Sequence, residues 1–350
     1  MTTASAPLLL TPGDPAGIGG EIALRAWAAL AAEGGPAFTL MDEPGRLSDL
    51  ADRIGLDVPL REIADARAAS DVFREALPVL RHDWPTPVRP GEPDPANARG
   101  VIAAIDRAVS LVRFGEASGV VTNPIAKSVL QTAGFAHPGH TEYLASLSAD
   151  GGRAPMPVMM LACPELRVVP VTVHIPLKDV PGALSRDGLM TTARIAAEGL
   201  RRDFGIAEPR LAVAGLNPHA GEQGRMGREE IDLIGPAIDS LRAEGLDITG
   251  PLSADTMFHP AARARYDAAL CMYHDQALIP IKTVDFARGV NVTLGLSFVR
   301  TSPDHGTAFS LAATGGADPT SLIEALRTAR RMAANRAAAG CATTATHDAA

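Results

Sequence analysis

Three histidines close three apolar runs: RVVPVTV runs into His174, RLAVAGL passes through Asn217-Pro218 into His219, and AALCMY runs into His274. Neutral imidazole is a common nitrogen ligand for zinc, cobalt, manganese or iron, and three of them leave coordination positions open for a substrate. If the runs are strands, the histidines share one location, because ligands of open α/β sheets bind beyond the carboxyl ends of the strands. One histidine so placed reads equally well as a polar residue hydrogen-bonded to backbone; the same placement three times favours a metal. Carboxylates accompany them. Asp275 directly follows His274, Asp255 lies in SADT, and Glu222 follows NPHAG. Such groups orient a ligating imidazole or accept a proton, although Asp255 also suits a helix N-cap and Glu222 a solvated loop charge.

A second set of residues suits an anion. Lys282, Arg288, Asn291 and Arg300 surround a predicted strand in KTVDFARGVNVTLGLSFVR. Arginine grips phosphate or carboxylate through two donors and lysine adds a point charge. Lys282 follows the apolar run LIPI soon after His274, so its ammonium is expected near the ion. GHTEY presents His140 and Thr141 ahead of a helix-like stretch, where Thr141 suits an N-cap and the backbone amides suit an anion. TPGDPAGIGGEI departs from the dinucleotide spacing GxGxxG and reads best as a tight strand-to-helix turn. DHGTAFSLAATGG (304–316) offers small residues and exposed amides, either to admit an adenosine closely or to pack before the last helix.

The elements that must position these residues alternate along the chain. PLLL (7–10), AFTLM (37–41), GVVT (119–122), PVMMLA (157–162), RVVPVTV (167–173), RLAVAGL (210–216), AALCMY (268–273) and VNVTLGL (290–296) read as strands covered on both faces. Helical spacing appears over 21–33, 100–116, 189–204 and 321–339. The alternation predicts an α/β architecture with a mixed or largely parallel sheet. Residues 82–98, rich in proline, read as an extended connection, and the small polar tail from Gly340 is expected to fray.

Composition narrows the function. With 350 residues, 46% hydrophobic, 21% charged and a net charge of −8, the chain reads as an ordinary globular protein with no basic surface for nucleic acid. The amino end has no basic segment ahead of its short apolar run, and no stretch has the length of a membrane span, so a cytoplasmic location is expected. Cys163, Cys271 and Cys341 are few and widely spaced, as buried small residues or a spare thiol would be.

TPGDPAGIGGEI, VTNPIAK, PGHTEYLA, VTVHIPL, LNPHAGEQGRMGREEID, GPLSADT, MYHDQ and RGVNVTLGLSFVRTSPDHGTA, in that order, closely resemble the 4-hydroxythreonine-4-phosphate dehydrogenase family of vitamin B6 biosynthesis. The resemblance spans residues 11 to about 316 and leaves 43–98 unmatched. It implies a two-lobed fold similar to isocitrate and isopropylmalate dehydrogenases, one lobe near 1–135 plus 296–340 and the other near 136–295, with a cleft site shared across a homodimer. It implies His174, His219 and His274 as ligands of one divalent ion (zinc, magnesium, cobalt or manganese), one of them from the partner subunit. It implies His140, Thr141, Lys282, Asn291 and Arg300 on the substrate, and Asp255, Asp275 and Lys282 as candidates for the proton. His305, Gly306, Thr307 and Ala308 correspond to a loop that cradles adenosine in related decarboxylating dehydrogenases. The implied reaction oxidises 4-phosphooxy-L-threonine with NAD, NADP being the alternative, and releases carbon dioxide to give 3-amino-2-oxopropyl phosphate. Rival readings are a dehydrogenase of 4-phospho-threonate or 4-phospho-erythronate, and a histidine-metal phosphoesterase without a nucleotide.

Overall fold

Unbroken apolar runs form the strands, and amphipathic segments cover them. The computed structural model describes residues 6–137 and 139–347, with 340–347 described by backbone alone. The chain divides into two units, Met1–Pro157 with Leu296–Ala350, and Val158–Gly295.

The first unit runs β1 (Leu8–Thr11), α1 (Gly19–Glu33), β2 (Phe38–Asp42), α2 (Pro44–Arg53), β3 (Leu60–Ile63), β4 (Leu77–Arg81), α3 (Ala98–Arg113), β5 (Gly119–Thr122) and α4 (His140–Leu147). The chain later returns to it with β12 (Arg300–Pro303) and α8 (Thr320–His347). Its strands are all parallel, in the order β3-β4-β2-β1-β5-β12. Every residue of β1, β2 and β5 is buried, as strands covered on both faces require. Leu9, Val120, Ile105, Leu144 and Phe298 belong to one core that joins the sheet to α3 and α4. From β1 the chain builds outward through β2, β4 and β3, then crosses back by α3 to lay β5 on the other side of β1. Strand order therefore reverses between β1 and β5, and such a reversal opens a crevice beyond the carboxyl ends.

The second unit runs β6 (Val158–Cys163), β7 (Leu166–Pro170), α5 (Arg186–Arg202), β8 (Arg210–Ala214), α6 (Gly235–Ala243), β9 (Asp247–Leu252), β10 (Ala268–Cys271), α7 (His274–Val284) and β11 (Val290–Leu294). The order is β11-β6-β7-β10-β8-β9, antiparallel across β11/β6 and β6/β7 and parallel from β7 to β9. The sheet is thus mixed, as expected. Leu161, Val168, Ala212, Ala269, Cys271 and Ile281 form its core with Tyr266. Burial pushes the Cys163 and Cys271 thiols up, so both pack as small apolar residues.

Two features differ from the expectation. LIPI is not a separate apolar run but the middle of α7, masked in the sequence by Pro280, a residue that ordinarily interrupts a helix. The tail from Gly340 is helical as far as His347; its side chains, Cys341 included, and residues 348–350 lie outside the described residues. Among the described residues no helix is long and apolar enough to cross a membrane.

Leu270 is fully buried at the centre of β10, between β7 and β8. Leu270→Ala is expected to lower the stability of the second unit by roughly 2–5 kcal/mol, the ordinary cost of a leucine-sized core deletion. Its denaturant midpoint, followed by circular dichroism, checks this.

Candidate active site

The parallel ladder of the second unit brings four carboxyl ends to one edge, with neighbouring strands about 4.8 Å apart. His174 follows β7, His274 follows β10, His219 follows β8 and Asp255 follows β9. Pairing continues past the strands. Val171 N donates to Cys271 O (2.8 Å), Thr172 N and Oγ1 donate to Met272 O (3.2 and 2.7 Å), and Gly215 N donates to Leu252 O (2.7 Å). Buried Gln276 ties two of these ends together: its Oε1 accepts from Met272 N and its Nε2 donates to Gly215 O, both at 2.7 Å.

The His174 and His274 rings face each other, with centroids 5.6 Å apart and planes at 45°. His274 Nδ1 lies 2.7 Å from Asp275 Oδ1. A hydrogen on that nitrogen leaves Nε2 with the lone pair, the arrangement a ligating imidazole needs. His219 is exposed on a turn whose residues 219–223 all have left-handed backbone, φ running from 42° to 78°. Left-handed helix costs roughly 1–2 kcal/mol for each non-glycine residue, so the surroundings must hold this turn in place. The short turn Ala254–Thr256, which carries Asp255, packs against it. Asp255 Oδ1 accepts from Ser253 Oγ at 2.6 Å, and Asp255 is not an N-cap. Among the described residues, no group of three or more histidine, cysteine, aspartate or glutamate side chains is close enough to hold an ion. The donor set is nonetheless of the right chemistry: a facing pair of imidazoles, one with its second nitrogen engaged by a carboxylate.

The anion residues divide between the units. Arg300 begins β12, is 4% exposed, and donates from Nη2 to Thr122 Oγ1 at 2.7 Å. Burial pushes its guanidinium down to about 10. His140 opens α4, and its buried Nε2 has no hydrogen-bond partner among the described residues. Burial first, and the Arg300 charge second, push this imidazole well below its usual value. Thr141 is the second residue of α4 and not its N-cap; extended Gly139 takes that place. Lys282 and Asn291 lie in the second unit, on α7 and β11. Lys282 stands two turns along α7 from His274, a rise of about 12 Å, with Nζ 5.4 Å from the Phe286 ring centroid. Arg288 is engaged by two carboxylates, Asp285 and Glu165, and forms a surface bridge.

Beyond the crevice between β1 and β5, the glycine-rich turn meets the DHGTA turn. Ile18 N donates to Thr307 O at 3.0 Å, and a Cβ on Gly17 would meet the same oxygen at 2.8 Å. Only glycine at 17 permits this approach. Ala308 has left-handed backbone (φ 43°). His305 Nδ1 lies 3.0 Å from Gly306 O, while its buried Nε2 has no hydrogen-bond partner among the described residues.

A family model described as pyridoxal phosphate biosynthetic protein PdxA matches residues 38–329. The chain belongs to the PdxA family. It is 56% identical over 340 residues to the 4-hydroxythreonine-4-phosphate dehydrogenase of Methylorubrum populi, covering 95% of this chain and 96% of that one. It is also 56% identical over 339 residues to the Paracoccus denitrificans protein of the same name, covering 95% and 100%. The crystal structure of 4-hydroxythreonine-4-phosphate dehydrogenase from Klebsiella pneumoniae is 36% identical, with a TM-score of 0.83 over 95% of this chain and 98% of that one. A terephthalate 1,2-cis-dihydrodiol dehydrogenase from Burkholderia xenovorans is 27% identical, with a TM-score of 0.63 over 93% and 98%.

Within this PdxA-family protein, sequence reasoning missed Gln276 and Thr122. Gln276 follows the noticed pair His274-Asp275, and a polar residue there, amid the apolar turns of α7, is the signal that marks it. Thr122 ends a noticed strand, but its pairing with Arg300 spans 178 positions.

The His140 imidazole is expected to stay neutral far into acid. An imidazole depressed in the folded state contributes stability that is complete above the unfolded value of about 6.5 and is lost as pH falls towards the folded value. Nitrogen-15 spectra of the histidine side chains across pH 4–8 check this, and Arg300→Met is expected to raise the midpoint only partly, because burial is the larger cause.

Proposed function

We propose that this chain oxidises and decarboxylates 4-phosphooxy-L-threonine to 3-amino-2-oxopropyl phosphate, using NAD and one divalent cation held by His174, His219 and His274, in the supply of pyridoxal phosphate. The observation that carries this reading is the facing pair His174 and His274 at the carboxyl edge, with Asp275 on His274 Nδ1. The names of relatives such as that from Methylorubrum populi favour the substrate. When bound, the cation would supply Lewis acidity to the alcohol and the dinucleotide would accept the hydride.

The chain's own residues do the rest. Arg300, His140, Thr141, Lys282 and Asn291 hold the phosphate and carboxylate, and so aim the reacting C–H bond. His140, kept neutral, offers a hydrogen bond at Nε2 without adding a charge. Asp275 is engaged in orienting His274, which leaves Asp255 or Lys282 to take the proton from the alcohol oxygen as the hydride leaves the carbon that bears it. Carbon dioxide then departs, the pair of the broken C–C bond passes into the adjacent ketone as an enolate, and a proton returned to that carbon completes the aminoketone. Residues 305–308 receive the adenosine end of the dinucleotide, where close approach of the two turns leaves little bulk.

The working form is proposed to be a cytoplasmic homodimer in which one histidine of the set comes from the partner subunit. Large apolar side chains exposed near the histidines in sequence support this: Ile175 and Leu177 follow His174, Met226 follows His219 and Ile279 follows His274.

Purified protein is expected to reduce NAD with 4-hydroxythreonine 4-phosphate, to stop when treated with chelator, and to recover with added divalent cation. His219→Ala is expected to remain folded and lose turnover. Faster reduction with 4-phospho-threonate or 4-phospho-erythronate would transfer the activity to those acids. Phosphate release without NAD reduction would point to a phosphoesterase.

A further inference from the structure

The turn that carries His219 is held from beneath by a carboxylate to which the function above assigns nothing. Glu230 is 5% exposed and opens the helical turn Glu230–Ile234. Its Oε1 accepts from Asn217 backbone N at 2.7 Å, and its Oε2 accepts from Asn217 Nδ2 at 3.0 Å. The same amide also donates to Glu229 Oε2 at 2.8 Å; the Glu229 backbone N–H first, and this amide second, hold the Glu229 carboxyl below its usual range. Asn217 is thus pinned through both its backbone and its side chain, two residues before His219.

Three glycines let the carboxylate come this close. A Cβ on Gly221, inside the left-handed turn, would meet Glu230 Oε2 at 2.5 Å. A Cβ on Gly215, at the end of β8, would meet Oε1 at 3.1 Å and Ala220 Cα at 3.0 Å. A Cβ on Gly227 would meet Asn217 Nδ2 at 2.3 Å. The strand end, the turn and the buried carboxylate therefore pack as one body. Buried carboxylates are costly unless N–H donors satisfy them, and hydrogen bonds to a charged acceptor are the stronger kind. Removing this charge should free the turn to leave its left-handed conformation, which its non-glycine residues disfavour.

We infer that Glu230 is a positioning residue for the cation site: through its hydrogen bonds to Asn217 and its close packing on Gly221 it holds His219 in the conformation that binds the ion. This rests on the reading of His219 as a ligand. Residues that orient a ligand from outside typically change metal affinity 10–100-fold when replaced.

The test is titration of cobalt(II) into the metal-free protein, followed by ligand-field absorption. Glu230→Gln is expected to weaken cobalt binding by about 10-fold or more. At saturating cobalt it should regain kcat, with KM for the phosphorylated substrate unchanged. Gly221→Ala, which keeps the carboxylate but drives a methyl onto it, should weaken binding likewise and carries the test if Glu230→Gln does not fold. Asp232→Asn removes a charge from the same segment at an exposed ion pair with Arg228, and should leave the affinity unchanged. Wild-type affinity in Glu230→Gln or Gly221→Ala, or an equal loss in Asp232→Asn, would overturn the inference. Wild-type cobalt affinity in His219→Ala would instead overturn the ligand assignment on which it rests.

Discussion

Backbone pairing at the carboxyl ends of β7, β10, β8 and β9 is the constraint on which the candidate site depends. Histidines separated by 45 and 55 positions stand at one edge of the sheet because those strands are neighbours and parallel. The pairing persists beyond the strands, through Val171, Thr172 and Gly215, so the chain is still in register where the side chains leave it. Gln276 adds a lock between the ends of β10 and β8. Hydrogen bonds of this kind are individually modest, about 0.5–1.5 kcal/mol net, but a buried group left without its partner costs more. That asymmetry resists slippage between one histidine and the next.

The first unit uses burial differently. Arg300 is almost wholly withdrawn from water, and His140 is depressed beside it. Desolvation makes a buried cation hungry for an anion, because an opposing charge offsets the penalty of leaving water. A second charge on His140 would oppose Arg300; a neutral imidazole contributes a directional hydrogen bond instead. In the proposed reading, one charge, one neutral ring and the amides at the start of α4 would together select a small anion.

Much of this is legible in the sequence, for local reasons. Buried parallel strands are nearly continuous in hydrophobicity, so GVVT and RLAVA stand out without help from neighbours. Imidazoles at their ends are visible for the same cause. What escapes is decided elsewhere in the chain. RTSP has little apolar signal, and β12 exists because it pairs with β5. LREI is half exposed at the sheet edge, so its period is blurred. Thr141 looks like an N-cap, but extended Gly139 starts the helix two residues sooner. The left-handed turn at 219–223 is written in long-range contacts with Glu230, and no local propensity announces it.

The central claim is that the strand-end histidines serve one ion. X-ray absorption at the cobalt edge of the cobalt-loaded full-length protein, in solution, counts the imidazoles in the metal's first coordination sphere. Three imidazoles per cobalt are expected, with one lost in His174→Ala, in His219→Ala and in His274→Ala. A sphere of oxygen ligands alone, unchanged by these substitutions, would contradict the account.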